Sequence, residues 1–354
     1  MRRLVVAAGV FACLGGVFAD PPPSGAEGGV RLLSEVTPGS QRAVETGLAF
    51  LARVQAADGS WCAQGGQYRA AMTALAGLAF LAHSDTPERG EYAGTVRRAL
   101  EFILRSQNDM TGLIASEGDQ DRSMYGHGFA MLFLGEVYGM TGRGVFEERI
   151  RRALQKGAAL STRSQSRDGG WYYVPNAGQD EGSVTITQVQ GLRAARNVGI
   201  DVPKESITRA ILYIRNSMNP DGGVRYRAQG GGEGRPAITA AGMAVIFNAG
   251  EFTEETRGML ERGMDYVRRN MLTGGPAGAM NTGHFFYTHF YLAQAMFLSG
   301  GEDWDRYFPP VRDHLISMQQ PDGAWRQEVG DAYCTGIACL ILQMPYRYLP
   351  ILQE

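Results

Sequence analysis

The segment Gln55-Ala-Ala-Asp-Gly-Ser-Trp61 carries the pattern Q-x-x-D-G-x-W, which recurs in full at residues 165–171 and 319–325. Degenerate copies begin at Gln107, Met218 and Met271, so the copies follow one another roughly 50 residues apart. Self-similarity at such a period is typical of a repeat architecture rather than of separate domains. The matched positions of the full copies are Gln55, Asp58, Gly59, Trp61, Gln165, Asp168, Gly169, Trp171, Gln319, Asp322, Gly323 and Trp325.

Each repeat unit is predicted to form a helix, a turn and a second helix. An amphipathic stretch such as 92–107 precedes each copy, and an apolar, small-residue stretch such as 70–82 follows it. Because a helix that is apolar all round is buried, the first helix of each pair should lie outside and the second inside. Six such units predict an all-α fold, an α/α toroid (α6/α6 barrel) of six helical hairpins. An open superhelical solenoid is the alternative.

The residue types of the pattern suit a tight turn between two helices. Glycine favours a left-handed helix end, aspartate bonds backbone N–H groups of the turn, and tryptophan packs the turn against its surroundings. A threonine also recurs near the start of four inner helices, which indicates a structural hydroxyl. These threonines are Thr73, Thr185, Thr239 and Thr335.

The copies resemble the repeat signature shared by squalene and hopene cyclases and by protein prenyltransferase β-subunits, over residues 41–346. This resemblance implies a lumen that binds an apolar, isoprenoid-like ligand. The prenyltransferases bind zinc through an Asp-Gly-Cys form of the motif. Here Ser60, Gly170, Gly223 and Ala324 stand at the cysteine position, so neither a metal site nor a cofactor is predicted.

The squalene-type cyclases protonate their substrate with an aspartate of a D-x-D-D motif, and the nearest match is Asp119-Gln-Asp121-Arg122. Asp121 matches the catalytic acid. However, Arg122 replaces the final aspartate, and a neighbouring cation favours an ionised carboxylate over one that holds its proton. The competing interpretation makes Asp119 and Asp121 solvated loop charges.

Other polar candidates lie at the predicted starts of the inner helices. With Asp121, the catalytic candidates are His127, Asp180 and Tyr333, and the ligand-binding candidates are Tyr125, Arg235, His284, Tyr287, His289 and Asp331. Carboxylates just before a helix, including Glu181, are commonly caps. In a six-unit ring His127 and His284 would face each other across the lumen, with hydrogen-bonded core histidines as the alternative. The aromatic stretch around Tyr287 would line the lumen or belong to the core.

The N-terminus resembles a signal peptide, with Arg2 and Arg3 before an apolar stretch and small residues up to Ala19. The predicted organisation is a signal peptide (1–19), a Pro/Gly-rich tether (20–40) and a single toroid domain (41–354). This predicts a secreted or periplasmic bacterial protein, with lipid attachment at Cys13 as the alternative. No transmembrane segment is expected in the mature chain.

The net charge of -2 and the pI near 6.3 argue against nucleic acid as a partner. Cys62 and Cys334 should become neighbours where the ring joins, which suggests a disulfide between them.

Three functions remain open from the sequence. The first is a lumen that binds an apolar small molecule, with or without cyclase or transferase chemistry. The second is a secreted, non-enzymatic scaffold or binding module. The third is an α/α-barrel polysaccharide lyase or hydrolase acting on a glycan, for which Asp180, Glu181, Arg235 and Tyr333 would be the starting set.

Overall fold

The computed structural model describes residues 35–119, 121–140, 144, 146–250, 252–272 and 284–352. Within these ranges the chain forms twelve α-helices and no β-strand. They are α1 (Pro38–Val54), α2 (Arg69–Ala82), α3 (Ala93–Arg105), α4 (Ser123–Met140), α5 (Glu147–Ser164), α6 (Gly182–Asn197), α7 (Lys204–Ser217), α8 (Pro236–Ala249), α9 (Glu254–Val267), α10 (Phe285–Ser299), α11 (Gly301–Met318) and α12 (Asp331–Gln343).

The predicted signal peptide and most of the predicted tether lie outside the described residues. Helix α1 begins at Pro38, three residues before the predicted domain boundary at 41, because Thr37 caps it. The Thr37 hydroxyl accepts from the Ser40 backbone N–H at 3.1 Å. The Ser40 hydroxyl in turn accepts from the Thr37 backbone N–H at 2.9 Å. Among the described helices, none combines the length and apolar character that crossing a membrane requires.

The even-numbered helices form a closed inner ring. Each contacts the next in the order α2, α4, α6, α8, α10, α12, and α12 returns to contact α2. The odd-numbered helices form an outer layer, and most of them pack chiefly on the inner helix of the preceding unit. Helix α1 therefore packs on α12, which joins the last unit to the first. The fold is the predicted α/α toroid and not an open solenoid.

The motif glutamine couples each unit to the next one. Gln55 Nε2 donates to the Gly59 carbonyl of its own turn at 2.9 Å and to the Thr95 carbonyl of α3 at 3.0 Å. The same amide group therefore holds the turn closed and fixes the following outer helix. Equivalent bonds of 2.8–2.9 Å to the next outer helix join Gln107 to Ala153, Gln165 to Ser206, and Gln319 to Ala43.

The motif glycine lies where the turn touches that outer helix. Gly169 has a φ of +97°, which disfavours residues with a Cβ. A Cβ added to Gly169 would also lie 2.2 Å from the Arg209 carbonyl oxygen of α7. Gly59 and Gly323 show the same close approach, to Arg98 and Thr46 respectively. Glycine is thus required twice over, by backbone conformation and by packing.

The motif tryptophan ties the turn back to its own unit. In unit three, the Trp171 indole donates to the Ser161 carbonyl of α5 at 2.7 Å, and its backbone N–H donates to the Thr185 hydroxyl at 3.0 Å. The predicted structural hydroxyl is confirmed in all four units that carry it. The backbone N–H donors to Thr73, Thr185, Thr239 and Thr335 are those of Trp61, Trp171, Val224 and Trp325.

In unit two, His127 takes the place of this threonine. Its Nδ1 accepts from the Ile114 backbone N–H at 3.1 Å, so the ring proton is on Nε2. Nε2 lies 3.2 Å from the Gly157 carbonyl and 3.1 Å from the Ser161 hydroxyl, both on α5. His127 is fully buried between the two helix layers. It completes the turn of a unit that lacks the threonine.

The disulfide suggested between Cys62 and Cys334 is not formed, because Cys62, Cys334 and Cys339 are all free. Cys62 is exposed, whereas Cys334 is buried in the core, so the two side chains occupy different environments. Backbone contact joins the ring at this place instead. The Gln64 N–H donates to the Val329 carbonyl at 2.9 Å, beside the Gln319 bond to α1.

The motif glycine provides a test of this packing, with a matched control nine residues away. Gly178 also has a positive φ, of +68°, but nothing lies within 4 Å of an added Cβ. We expect Gly169→Ala to lower the free energy of unfolding by about 2–4 kcal/mol more than Gly178→Ala does, because only the former meets a carbonyl oxygen. Thermal and urea unfolding of both variants measure the difference. Equal effects would show that the contact with α7 contributes nothing.

His127 makes stability depend on pH. Burial lowers the pKa of His127 to about 4. Between about 6.5 and 4 the unfolded chain therefore binds a proton that the folded chain does not, and stability falls as the pH falls, by up to about 3 kcal/mol. Burial also raises the pKa of Glu136 to about 8, which acts in the opposite direction, so a comparison with a His127 variant is needed.

Urea unfolding at pH 7 and pH 4.5 isolates the His127 contribution. We expect His127→Gln to lose less stability over this interval than the native chain, because Glu136 affects both proteins equally. NMR titration of the native imidazole gives an independent value. A His127 ring that titrates near its usual pKa of ~6.5 would contradict the buried, neutral assignment.

Candidate functional site

A group of tyrosines surrounds the lumen at the end of the ring that carries the motif turns. We call this group the tyrosine cluster; its members are Tyr125, Tyr173, Tyr226, Tyr287, Tyr291 and Tyr333. The Tyr125 and Tyr173 rings lie 5.9 Å apart, and the Tyr173 and Tyr226 hydroxyls are hydrogen-bonded at 2.7 Å. The Tyr287 and Tyr291 rings pack edge to face at 5.1 Å.

Three of these side chains are buried only in part. Burial raises the pKa of Tyr125, Tyr287 and Tyr333 well above the usual value for a tyrosine. Each of the three nevertheless keeps part of its surface accessible. Tyr125 and Tyr333 also raise the pKa of Tyr287, so side chains from three units face one another.

A buried carboxylate organises one side of the cluster. Glu181 precedes α6 and accepts from the backbone N–H groups of Ser183 at 2.9 Å and Val184 at 2.6 Å, so it is the helix cap that the sequence allowed. The Ser183 hydroxyl bonds Glu181 and also contacts the Tyr125 hydroxyl. After burial, the charge of Glu181 is the largest contribution that raises the pKa of Tyr125 and of Tyr226.

Side chains from opposite walls meet about one helical turn deeper. The Phe129 ring of α4 lies 6.4 Å from the Phe290 ring of α10, and these helices belong to opposite units of the ring. Gln190 Nε2 of α6 donates to Gln294 Oε1 of α10 at 2.8 Å. These pairs form an apolar and amide floor beneath the tyrosines, and we call the region between this floor and the motif turns the chamber.

Several buried polar atoms facing this region have no partner. Among the described residues, the hydroxyls of Tyr287 and Tyr291 and the Gln190 Oε1 atom form no hydrogen bond. Buried polar groups are nearly always paired, because an unpaired one costs about 1–3 kcal/mol. The two phenol hydroxyls of Tyr287 and Tyr291 are therefore polar groups that the packing of the described residues leaves unsatisfied.

Arginines border the chamber on the side of units two to four. The guanidinium of Arg122 lies 5.0 Å from the centre of the Tyr173 ring, and that of Arg235 lies 4.7 Å from Tyr226. A third cation, Arg227, lies over Tyr172 at 5.8 Å. Such stacks hold the cations at the rim of the cluster. The arrangement places positive charge at the mouth of a largely aromatic chamber.

Some of the candidates predicted from the sequence lie together at the chamber, and the others lie away from it. Tyr125, Tyr287, Tyr333 and Arg235 come together at the chamber, as does Glu181, which had been weighed as a cap. The sequence interpretation missed Tyr173, Tyr226 and Ser183. The available signal was a tyrosine shortly after the motif turn in units three and four, at a position that lies in a loop and carries no helical periodicity.

The predicted acid Asp121 lies at the surface, with 76% of its side chain exposed and Arg122 Nε 4.0 Å away. Its catalytic role stays a prediction. Asp119 is not the solvated charge that had been considered. It is buried and accepts from the Ser116 backbone N–H at 3.0 Å, so it shapes the loop before α4.

The histidines do not meet across the lumen, and that expectation is wrong. His127 faces α5, and His289 faces α11, where its Nδ1 lies 2.9 Å from the Tyr307 hydroxyl. Only His284 is exposed, at the N-terminal end of α10.

In the part of the chain that is described, no group of three or more His, Cys, Asp or Glu side chains suits a metal ion.

The remaining carboxylate candidates are occupied locally. Asp180 accepts from the Ser166 hydroxyl of the motif turn at 2.8 Å. Asp331 accepts from Arg326 Nε at 3.1 Å in an exposed ion pair. Both contacts hold loops at the end of the ring.

No family model matches the sequence, and no curated protein matches it. Solved structures do match. The type II terpene cyclase MstE from Scytonema has a TM-score of 0.60 and 12% identity, over 88% of this chain and 100% of that one. An α-1,6-mannanase variant of Salegentibacter sp. has a TM-score of 0.64 and 8% identity, over 86% and 98%.

The cellobiose 2-epimerase from Bacillus thermoamylovorans is similar to the same extent, with a TM-score of 0.64 and 12% identity over 87% of this chain and 98% of that one. At such identities the likeness concerns the fold alone. The chain is an α/α toroid, the fold that it shares with this cyclase, mannanase and epimerase.

Proposed function

We propose that the chamber binds an apolar ligand of isoprenoid type, with a polar or anionic head at the tyrosine and arginine rim. The observation that carries this proposal is the pair of unpartnered hydroxyls of Tyr287 and Tyr291 inside an aromatic chamber. The Phe129 and Phe290 floor suits an apolar body, and Arg122 and Arg235 suit an anionic head.

The comparison with the terpene cyclase supports the same ligand class. A variant of that enzyme is in complex with geranylgeranyl dihydroxybenzoate, which is named as its substrate and combines an isoprenoid chain with a carboxylate. The mannanase variant is in complex with α-1,6-mannotriose, so the fold also accommodates glycans. The chamber of this chain favours the isoprenoid, because both oxygens of its buried carboxylate, Glu181, already accept hydrogen bonds.

The proposal is one of binding and does not include cyclase chemistry. A cyclase acid must deliver a proton to an alkene. Glu181 accepts from two backbone N–H groups and is engaged as the cap of α6. Asp121 lies outside the chamber beside Arg122. The tyrosine hydroxyls are the polar groups that a ligand would meet first.

Calorimetric titration with geranylgeranoic acid, geranylgeraniol and α-1,6-mannotriose tests the ligand class. We expect the acid to bind most tightly, since its tail matches the floor and its carboxylate matches the rim. Tyr287→Phe should weaken binding about fivefold, because it removes one hydroxyl and keeps the ring. Tyr213→Phe is the matched control, since its buried hydroxyl also lacks a partner among the described residues but lies on the outer helix α7.

Binding of the mannotriose alone would replace the isoprenoid proposal with a glycan one. Absence of binding by all three compounds would leave the scaffold interpretation. If Tyr213→Phe weakened the isoprenoid as much as Tyr287→Phe, the chamber would not be the binding site.

We also propose, from the sequence of residues 1–19, that the chain is exported. Expression of the full chain in a bacterial host, followed by N-terminal sequencing of each cell fraction, tests this. The expected product begins at Asp20 in the periplasm or the medium. A lipid-modified product that begins at Cys13 in the membrane fraction would favour the alternative anchor, and an intact Met1 in the cytoplasm would contradict export.

A further inference from the structure

A second cavity, of about 420 Å³, lies at the opposite face of the ring, where the first and last units meet. Its walls come from the start of α1, the end of α2, and the end of α12 with the segment that follows. Tyr333 and Gln343 lie at opposite ends of α12, so about 15 Å of helix separates this cavity from the tyrosine cluster. The two spaces are therefore distinct.

A buried acceptor on the cavity wall lacks a donor. Gln343 is 2% exposed, and its Nε2 donates to the carbonyls of Ala79 and Cys339, both at 3.0 Å. These two bonds fix the orientation of the amide, because only the NH₂ group can donate to both carbonyls. Its Oε1 atom is left buried, with no hydrogen-bond partner in the described chain. The cavity wall therefore contains one acceptor that the described chain leaves unsatisfied.

The charge around the cavity is negative. Glu45 of α1 is an exposed carboxylate on its wall. His83 lies beside it, with Nδ1 2.8 Å from the buried carboxylate of Asp85. The hydrogen bond that His83 donates to the Asp85 carboxylate raises the pKa of His83, as do the negative charges of Asp85, Glu91 and Glu45. When His83 is protonated, Asp85 balances its charge, and Glu45 and Glu91 remain in excess.

Two stacked tyrosines complete the wall. The Tyr346 and Tyr348 rings lie 5.7 Å apart with an angle of 15° between their planes, and Tyr348 is 47% exposed. The intervening Arg347 directs its guanidinium toward Phe297, at 5.0 Å from the ring centre. The faces of tyrosine rings attract cations. Val44 and Leu342 add apolar surface between the aromatic and the polar groups.

We propose that this cavity binds an organic cation, an ammonium group with a small aromatic or aliphatic substituent. The ammonium N–H groups would donate to Gln343 Oε1 and pair with Glu45, and the substituent would lie against the tyrosines and the apolar wall. The volume is within the range of pockets that hold small molecules. The site is independent of the lumen and of the ligand proposed for it.

Titration with three probes of similar shape and different charge tests the proposal. We expect benzylammonium to bind, and neutral benzyl alcohol and anionic benzoate to bind at least fivefold more weakly. Glu45→Gln should weaken benzylammonium about three- to fivefold, as expected for an exposed charge pair. Glu261→Gln, which removes an exposed carboxylate from the outer helix α9, is the matched control and should change nothing. Tyr348→Leu provides a second variant at an exposed position, with an expected twofold to fivefold loss.

Equal binding of the three probes, or no binding of benzylammonium, would overturn the proposal. The lumen variant Tyr287→Phe distinguishes the two sites, because it should leave benzylammonium binding unchanged. A loss in that variant, with no loss in Glu45→Gln, would place the cation in the lumen and contradict the assignment made here.

Discussion

The closed ring depends on one hydrogen-bonding arrangement, the glutamine amide that begins each full motif. Its NH₂ group donates once to its own turn and once to the next outer helix, so the same side chain shapes a unit and couples it to its neighbour. At the end of the chain, Gln319 makes this second bond to Ala43, at the beginning of the chain. A local motif thereby specifies closure, which is a global property.

The recurrent motif is therefore architectural. The motif residues form turns, caps and contacts between helices, as the Trp171 and Gly169 contacts show. The chamber is formed by positions just after the motif turn, which differ from unit to unit. A terpene cyclase, a mannanase and an epimerase have a similar fold, so the fold alone does not specify a function.

The sequence predicted the fold well because the period, the turn chemistry and the apolar inner helices all agree. It predicted the site only in part. Tyr125 and Tyr287 were identified because they begin inner helices. Tyr173 and Tyr226 were missed because loop positions have no periodicity that tells which way a side chain points.

His127 was misjudged for a related physical reason. Its role follows from a one-residue shift in the second motif copy, where Ile114 occupies the place of the tryptophan. The disulfide suggested between Cys62 and Cys334 is absent because ring closure brings two segments together without fixing the direction of their side chains. Helix faces and repeat periods are readable in a sequence, whereas side-chain directions in loops depend on tertiary contacts.

The most direct test of the account is a crystal structure of the chain purified without added ligand, with attention to density inside the ring. The account predicts an open aromatic chamber above Phe129 and Phe290, with elongated density or ordered water within hydrogen-bonding distance of the Tyr287 and Tyr291 hydroxyls. A lumen packed shut by inner-helix side chains, with both hydroxyls bonded to protein atoms, would contradict it.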